Sequence, residues 1–224
     1  MSQPSLFAAV APPPLERIDL RCCDVAELLP LEGDLCIADP PWTYSQAFGE
    51  TAAQAHYRGL TVSEIVAHLE QTRCPRMAVW LTWPILASDW PIELPGWGRP
   101  VTGGAWSKCH PGDVGHYGQG YHWAGSSEPV LVYTRGAGYN SRSKLRNAWV
   151  EPPGSHSVKP IEWIAQWIRR WCPPGGRVVD PYAGLGSVAE AVLEAGEDRR
   201  YLGAEIDRKR HEDALGLLAQ WRAS

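Results

Sequence analysis

Short apolar runs alternate with amphipathic helical patterns along most of this chain. Charged and apolar residues alternate at 17–22 and predict a short strand. Further strands are predicted at 34–38, 76–82, 101–106, 129–134, 178–179 and 201–206. Helical patterns begin at Thr61 or Ser63, at Pro160, after Gly186 and at Asp207, and 25–29 predicts a single helical turn. This alternation predicts a doubly wound α/β fold with a mostly parallel sheet.

The two ends and the cysteines restrict the class of protein. Residues 1–16 are rich in Pro and Ala and lack the basic start of a signal peptide, so they predict a flexible tail before a single domain over 17–224. No apolar run approaches the roughly 20 residues that span a bilayer, and we expect a cytoplasmic protein without membrane contact. The cysteines form no C-x-x-C pair, and the spacing of Cys109, His110, His116 and His122 matches no standard zinc pattern, so we expect no metal.

The charge is uneven. The chain carries a formal net charge of −4, yet the stretch from 99 to 146 is net positive. Its cations are Arg99, Lys108, Arg135, Arg142, Lys144 and Arg146, against only Asp113 and Glu128. A solvated loop explains this stretch by itself. Beside the motifs below, it makes Lys108, Arg142, Lys144 and Arg146 candidates for phosphate contacts.

A glycine-rich motif runs from Asp180 to Ser187 between a strand and a helix. Its glycines and the helix N-terminus suit the close approach of a ligand, and Glu205 at the end of the next strand can accept hydrogen bonds from both ribose hydroxyls. The spacing also fits a dinucleotide site or a ligand-free turn. A carboxylate at Asp180 would repel a pyrophosphate, whereas it suits the cationic amino group of S-adenosylmethionine.

A second motif, Asp39-Pro40-Pro41-Trp42, ends a buried strand. An aromatic amino nitrogen is a poor nucleophile, and two acceptors aimed at its N–H bonds make it more tetrahedral. The Asp39 carboxylate and the Pro40 carbonyl can be those acceptors, held by the fixed φ of proline. Trp42 offers a face on which a base can stack. A Pro-Pro turn beside a core tryptophan is the alternative interpretation.

Together the motifs resemble the DPPW-type N6-adenine methyltransferases, a superfamily that includes DNA adenine methyltransferases and messenger-RNA adenosine methyltransferases. The resemblance extends from Arg17 to Trp221, and the catalytic motif precedes the cofactor motif, as in the circularly permuted β-type enzymes. His56-Tyr57, the segment 120–136 and the segment 156–160 (His-Ser-Val-Lys-Pro) are similar to further family segments. The resemblance therefore implies a Rossmann-like fold and S-adenosyl-L-methionine as cofactor.

The resemblance also implies three sets of site residues. The catalytic set is Asp39, Pro40, Pro41 and Trp42. The cofactor set is Asp24, His156, Ser157, Lys159, Asp180, Tyr182, Ala183, Gly184, Gly186, Ser187 and Glu205. The substrate set is Tyr44, His56, Tyr57, Lys108, Arg142, Lys144 and Arg146.

The favoured hypothesis is a DNA N6-adenine methyltransferase acting on a flipped or unpaired adenine. The same chemistry on RNA, a non-catalytic nucleic-acid-binding subunit and an NAD enzyme remain alternatives, although the intact Asp39 favours activity. Tyr182 stands where the family commonly has phenylalanine. The chain has no room for a large target-recognition domain, so specificity falls to loops or to a partner, and a homodimer stays open.

Overall fold

The computed structural model describes residues 15–43, 59–109, 125–142, 144–152 and 158–220. An eight-stranded sheet forms its centre. Its strands are β1 Ile18–Cys22, β3 Leu35–Ala38, β5 Arg76–Trp80, β6 Thr102–Ser107, β7 Ser127–Thr134, β8 Ala148–Val150, β9 Arg177–Asp180 and β10 Arg200–Glu205. They lie in the order β1-β10-β9-β3-β5-β7-β6-β8, and two short strands, β2 Leu31–Glu32 and β4 Thr72–Arg73, pair separately.

Only β7 opposes the common strand direction of the large sheet. It pairs antiparallel with β5 and β6, whereas every other pair is parallel. The central strands are apolar on both faces, and Leu35–Ala38 is buried throughout, as a strand covered on both sides requires. The prediction of a mostly parallel, doubly wound sheet is confirmed.

Helices cover both faces of this sheet. They are α1 Val62–Glu70, α2 Trp83–Ser88, α3 Ile161–Trp171, α4 Ser187–Ala195 and α5 Arg208–Gln220. The apolar sides of α3, α4 and α5 join one core cluster, and α1 and α2 join the cluster on the opposite face. No helix in the described part of the chain is long and apolar enough to cross a bilayer.

Tryptophans make up much of the core beneath α3. The Trp80 ring lies edge-on to Trp106 and Trp163, with centroids 5.9 and 5.7 Å apart, and Trp163 meets Trp167 at 4.5 Å. Edge-to-face packing of this kind is worth about 0.5–1.5 kcal/mol per pair beyond the buried area. This cluster fixes the end of β5 against the start of α3, where the chain enters the site.

The predicted strands and helices occur within a few residues of their expected bounds. Three features were not predicted: α2, the β2–β4 pair and the edge strand β8. Pro84 lies in the first turn of α2, where proline is tolerated. Residues 44–58 and 110–124, where the sequence shows no strand or helix pattern, lie outside the described residues.

Candidate functional site

A cavity of about 630 Å³ opens at the carboxyl edge of the parallel strands. Residues that follow β3, β5, β9 and β10 line it, which is where doubly wound sheets bind ligands. Asp39 and the Asp180–Leu185 turn face this one cavity from neighbouring strands. Its size suits a nucleoside together with part of a second ligand. The two sequence motifs therefore meet in space.

The segment Asp39–Trp42 forms one wall of the cavity. The Leu60 N–H donates to the Pro41 carbonyl over 2.8 Å, and the Thr43 N–H donates to the Leu60 carbonyl over 3.2 Å. The Trp42 ring packs edge-on against Trp90 with centroids 5.6 Å apart. These contacts hold the segment in place, and they do not use the Pro40 carbonyl.

Asp39 is the first of four charged side chains that are linked in a row by ion pairs. The Lys159 Nζ lies 3.0 Å from Asp39 Oδ2 and 3.0 Å from Glu128 Oε2. Lys108 donates to the other oxygen of Glu128. The two ammonium groups also lie near the Trp106 ring, at 5.1 Å for Lys108 and 5.9 Å for Lys159. The sequence interpretation placed Lys159 at the cofactor, whereas the structure pairs its ammonium with Asp39.

Burial and this ion chain set the protonation of the site. Burial raises the pKa of Asp39, and the Lys159 ammonium opposes that rise. Burial would also raise the pKa of Glu128, but the ammonium groups of Lys159 and Lys108 outweigh it, and the pKa lies below its ordinary value. The two carboxylates raise the pKa of Lys159 despite its burial. The lysine thus stays charged and favours ionised carboxylates on both sides.

Gly184 and Glu205 shape the opposite wall. The Gly184 N–H donates to Glu205 Oε2 and the Asp207 N–H donates to Oε1, each over 2.8 Å. Gly184 has φ +55° and Gly186 has φ +83°, a left-handed backbone that favours glycine. Gly186 starts α4 and faces Ala214 rather than the cavity lining. Its role in the structure is to turn the chain.

Asp180 lies under the glycine turn and is 1% exposed. It accepts hydrogen bonds from the Tyr182 N–H at 3.1 Å and from the Tyr201 hydroxyl at 3.0 Å. Burial raises its pKa to about 7, because those two donors only partly offset the loss of water. A carboxyl group balanced in this way ionises readily when a cation binds near it.

The remaining cofactor candidates lie around the same cavity. Asp24 caps a short helical turn by accepting from the Ala26 N–H at 2.9 Å, and it lines the cavity. The Tyr182 hydroxyl pairs with His68 Nδ1 at 3.1 Å. The Lys159 N–H donates to Ser187 Oγ at 3.2 Å, which joins the start of α4 to the ion chain. Ala183 also lines the cavity.

The basic candidates lie elsewhere. Arg142, Lys144 and Arg146 are exposed, and none of them lines the cavity. Their segment runs beside α3: the Ser141 N–H donates to Arg170 near the end of the helix, and the Arg146 carbonyl accepts from Trp163 in its first turn. Arg142 is therefore near the amino edge of the sheet, opposite the cavity. Lys108 has Glu128 as its partner, so its charge is not free.

Some predicted residues lie outside the described ranges: Tyr44, His56, Tyr57, His156 and Ser157. The histidines near Cys109 do so as well, and the described residues contain no group of acidic, His and Cys side chains suited to a metal. Glu128, His68 and Thr82 are among the cavity residues that sequence reasoning missed. Glu128 lies within the 120–136 segment that resembled the family, but it was counted there only as a charge. No sequence signal singled out His68 or Thr82.

Comparison with known proteins gives a family match over part of the chain and a fold. Residues 132–216 match the DNA methylase family N6_N4_Mtase, and no curated protein matches in sequence. The M1.HpyAVI–SAM complex has a TM-score of 0.64 at 15% identity, covering 89% of this chain and 99% of that one. This is a Rossmann-like methyltransferase fold. The resemblance to the superfamily is thereby confirmed.

Two further structures carry the same fold. TTHA0409 from Thermus thermophilus, assigned as a DNA modification methylase and complexed with S-adenosyl-L-methionine, has a TM-score of 0.61 at 18% identity, covering 90% of this chain and 93% of that one. The cytosine-N4-specific PvuII DNA methyltransferase has a TM-score of 0.62 at 13% identity, covering 93% and 88%. The fold is thus shared with an enzyme that is specific for cytosine N4.

Proposed function

We propose that this protein is an S-adenosyl-L-methionine-dependent DNA methyltransferase that modifies the N6 amino group of adenine. The observation that carries the proposal is the common cavity of Asp39 and the Gly184–Glu205 wall. Asp39, which can accept from an amino group, and Glu205, which can accept from ribose hydroxyls, lie on opposite sides of this cavity. The family match and the methyltransferase fold support the same reaction class.

The residues of the cavity fit the cofactor. Both Glu205 oxygens accept backbone N–H bonds, which fixes the carboxylate and leaves further lone pairs for two ribose hydroxyls. Asp180 supplies a buried carboxyl group whose ionised form a cationic amino group stabilises. When bound, S-adenosylmethionine supplies an electrophilic methyl group on a positively charged sulfur. Asp24 and Tyr182 complete this side of the cavity.

The other wall acts on the base. The Asp39 carboxylate and the Pro40 carbonyl accept the two N–H bonds of the amino group and favour a tetrahedral nitrogen. Nitrogen forms a bond to the methyl carbon as the carbon–sulfur bond breaks, and one amino proton then leaves toward Asp39. The Lys159 ammonium, 3.0 Å away, favours the ionised form of Asp39 against the effect of burial. Trp42 lies at the cavity surface for contact with the ring.

Cytosine N4 is the second candidate, because the matching family covers both amino groups and the PvuII enzyme acts on cytosine. Both bases carry an exocyclic amino group beside a ring nitrogen acceptor. The Asp-Pro-Pro-Trp motif resembles the adenine enzymes, and this favours N6. DNA is preferred to RNA because the family is a DNA methylase family.

Nucleoside mass spectrometry tests the proposal. The chain is expressed in a host without endogenous DNA methylation, and digested DNA and RNA are compared with those from an Asp39→Ala strain. N6-methyladenine in DNA that depends on Asp39 is the expected result. N4-methylcytosine would establish the second candidate, and methylated RNA alone would overturn the choice of DNA. Binding of S-adenosylmethionine without any methylated product would point to a non-catalytic subunit.

A further inference from the structure

Thr82 has a hydroxyl group that the described part of the protein does not use. The residue follows β5 and lines the cavity, yet its Oγ is buried and has no hydrogen-bond partner among the described residues. It precedes the first residue of α2, where a threonine usually caps the helix, but its side chain makes no capping bond. A buried hydroxyl without a partner is uncommon, because it forfeits its hydrogen bonds to water.

The sheet order places this hydroxyl on the side of Asp39. β5 lies directly beside β3 with Ala38 opposite Val79, so the segments that follow these strands are neighbours. β5 is two strands away from β9 and three from β10, which carry Asp180 and Glu205. Strands are about 4.8 Å apart. The hydroxyl is therefore far from the ribose carboxylate and close to the amino-group acceptors.

We propose that the Thr82 hydroxyl donates a hydrogen bond to N1 of the target adenine while Asp39 accepts from N6. This inference rests on the proposed function and names a further positioning residue for it. N1 is a lone-pair acceptor adjacent to the carbon that carries the amino group, so one donor and one acceptor at the cavity wall match this edge of the base. Two such bonds fix the ring plane, and with it the direction of the N6 lone pair.

The isosteric change Thr82→Val tests the role, with Thr82→Ser retaining the hydroxyl. Because the hydroxyl has no partner among the described residues, Thr82→Val should leave the melting temperature unchanged or raise it. Methylation kcat/KM should fall by roughly 5- to 20-fold, the effect of one hydrogen bond, and Thr82→Ser should restore most of it. The affinity for S-adenosylmethionine should be the same in all three proteins.

Thr72→Val is the matched control. The Thr72 hydroxyl is buried and donates to the Leu69 carbonyl over 2.8 Å. Removing this partnered hydroxyl should lower the melting temperature by about 2–4 °C and leave kcat/KM per folded protein unchanged. Opposite outcomes for the two valine variants separate a positioning role from a structural one. Full methylation by Thr82→Val would overturn the inference.

DNA containing 1-deazaadenine, in which a C–H group replaces N1, tests the atom assignment. The wild-type protein should lose activity on the analogue by a factor similar to that of Thr82→Val on adenine, and the two changes together should cost little more than either one. Additive losses would show that Thr82 bonds another atom. If the wild-type protein methylates no DNA, the proposed function is refuted. If the wild-type protein is active and Thr82→Val has the same methylation kcat/KM, only this inference is refuted.

Discussion

Replacing Lys159 with Met removes the cation that separates Asp39 from Glu128. At 3.0 Å, one unit-charge pair is worth about 5.5 kcal/mol at an effective dielectric constant of 20 and about 1.4 kcal/mol in bulk water. The Asp39 side chain is 35% exposed, so screening brings the value toward the lower limit, about 1.5–3 kcal/mol. This corresponds to a rise of about one to two units in the pKa of Asp39.

The assay is the pH profile of kcat/KM for methyl transfer from tritiated S-adenosylmethionine to DNA. Only ionised Asp39 accepts both its lysine and an amino N–H, so activity should rise with pH through the pKa of Asp39. In Lys159→Met the acidic limb should move up by about one to two pH units, with some activity recovered at high pH.

Glu128→Gln provides the opposite test at the same site. The negative charge of Glu128 raises the pKa of Asp39, so the amide should move the acidic limb to lower pH. Cofactor affinity, measured in parallel, should change little in Glu128→Gln. Shifts in the same direction, or an unmoved limb in Lys159→Met, would refute the view that this ion chain sets the charge of Asp39.

Three other predictions concern Glu205, Asp180 and Gly186. Glu205→Gln should weaken S-adenosylmethionine binding by about tenfold or more in calorimetry, because charge-assisted bonds are lost, while DNA affinity is retained. The pKa of Asp180 is about 7 in the folded protein and 3.8 in the unfolded chain. Between these two pH values the folded protein binds the proton and the unfolded chain does not, so the free energy of unfolding should fall by up to about 4 kcal/mol as the pH rises. Thermal melts of Asp180→Asn without ligand should lack that slope. Gly186→Ala should destabilise by about 1–2 kcal/mol at its left-handed φ, whereas Gly216→Ala, in open space within α5, should stabilise by roughly 0.5–1 kcal/mol.

The sequence predicted the two motifs and their meeting point for a physical reason. Asp39 and Asp180 each end a run of apolar residues, and parallel buried strands bring such ends to one edge of a sheet. The pairing of Lys159 with Asp39 could not be predicted in this way. It depends on where the fold places the start of α3 relative to the end of β3, which no local pattern encodes.

The basic stretch shows a similar limit. Charge counting grouped Lys108 with Arg142 because both lie in a net positive segment. In the fold, β6 carries Lys108 to the cavity edge beside Glu128, and Arg142 lies near the far end of α3. Composition measures how many charges a segment has, but only the strand order decides which edge receives them. The phosphate contacts of Arg142, Lys144 and Arg146 stay a prediction.

One residue belongs to both halves of the site: the Lys159 backbone N–H holds Ser187 at the start of α4, and its ammonium holds Asp39. Any movement of Asp39 and its paired ammonium when a base binds is therefore passed to the anchor of the cofactor turn, and the reverse holds when the turn moves. The affinities for the two substrates should then be thermodynamically linked, each altering the other by an equal factor. Cooperative ternary-complex formation is the expected consequence of this single lysine.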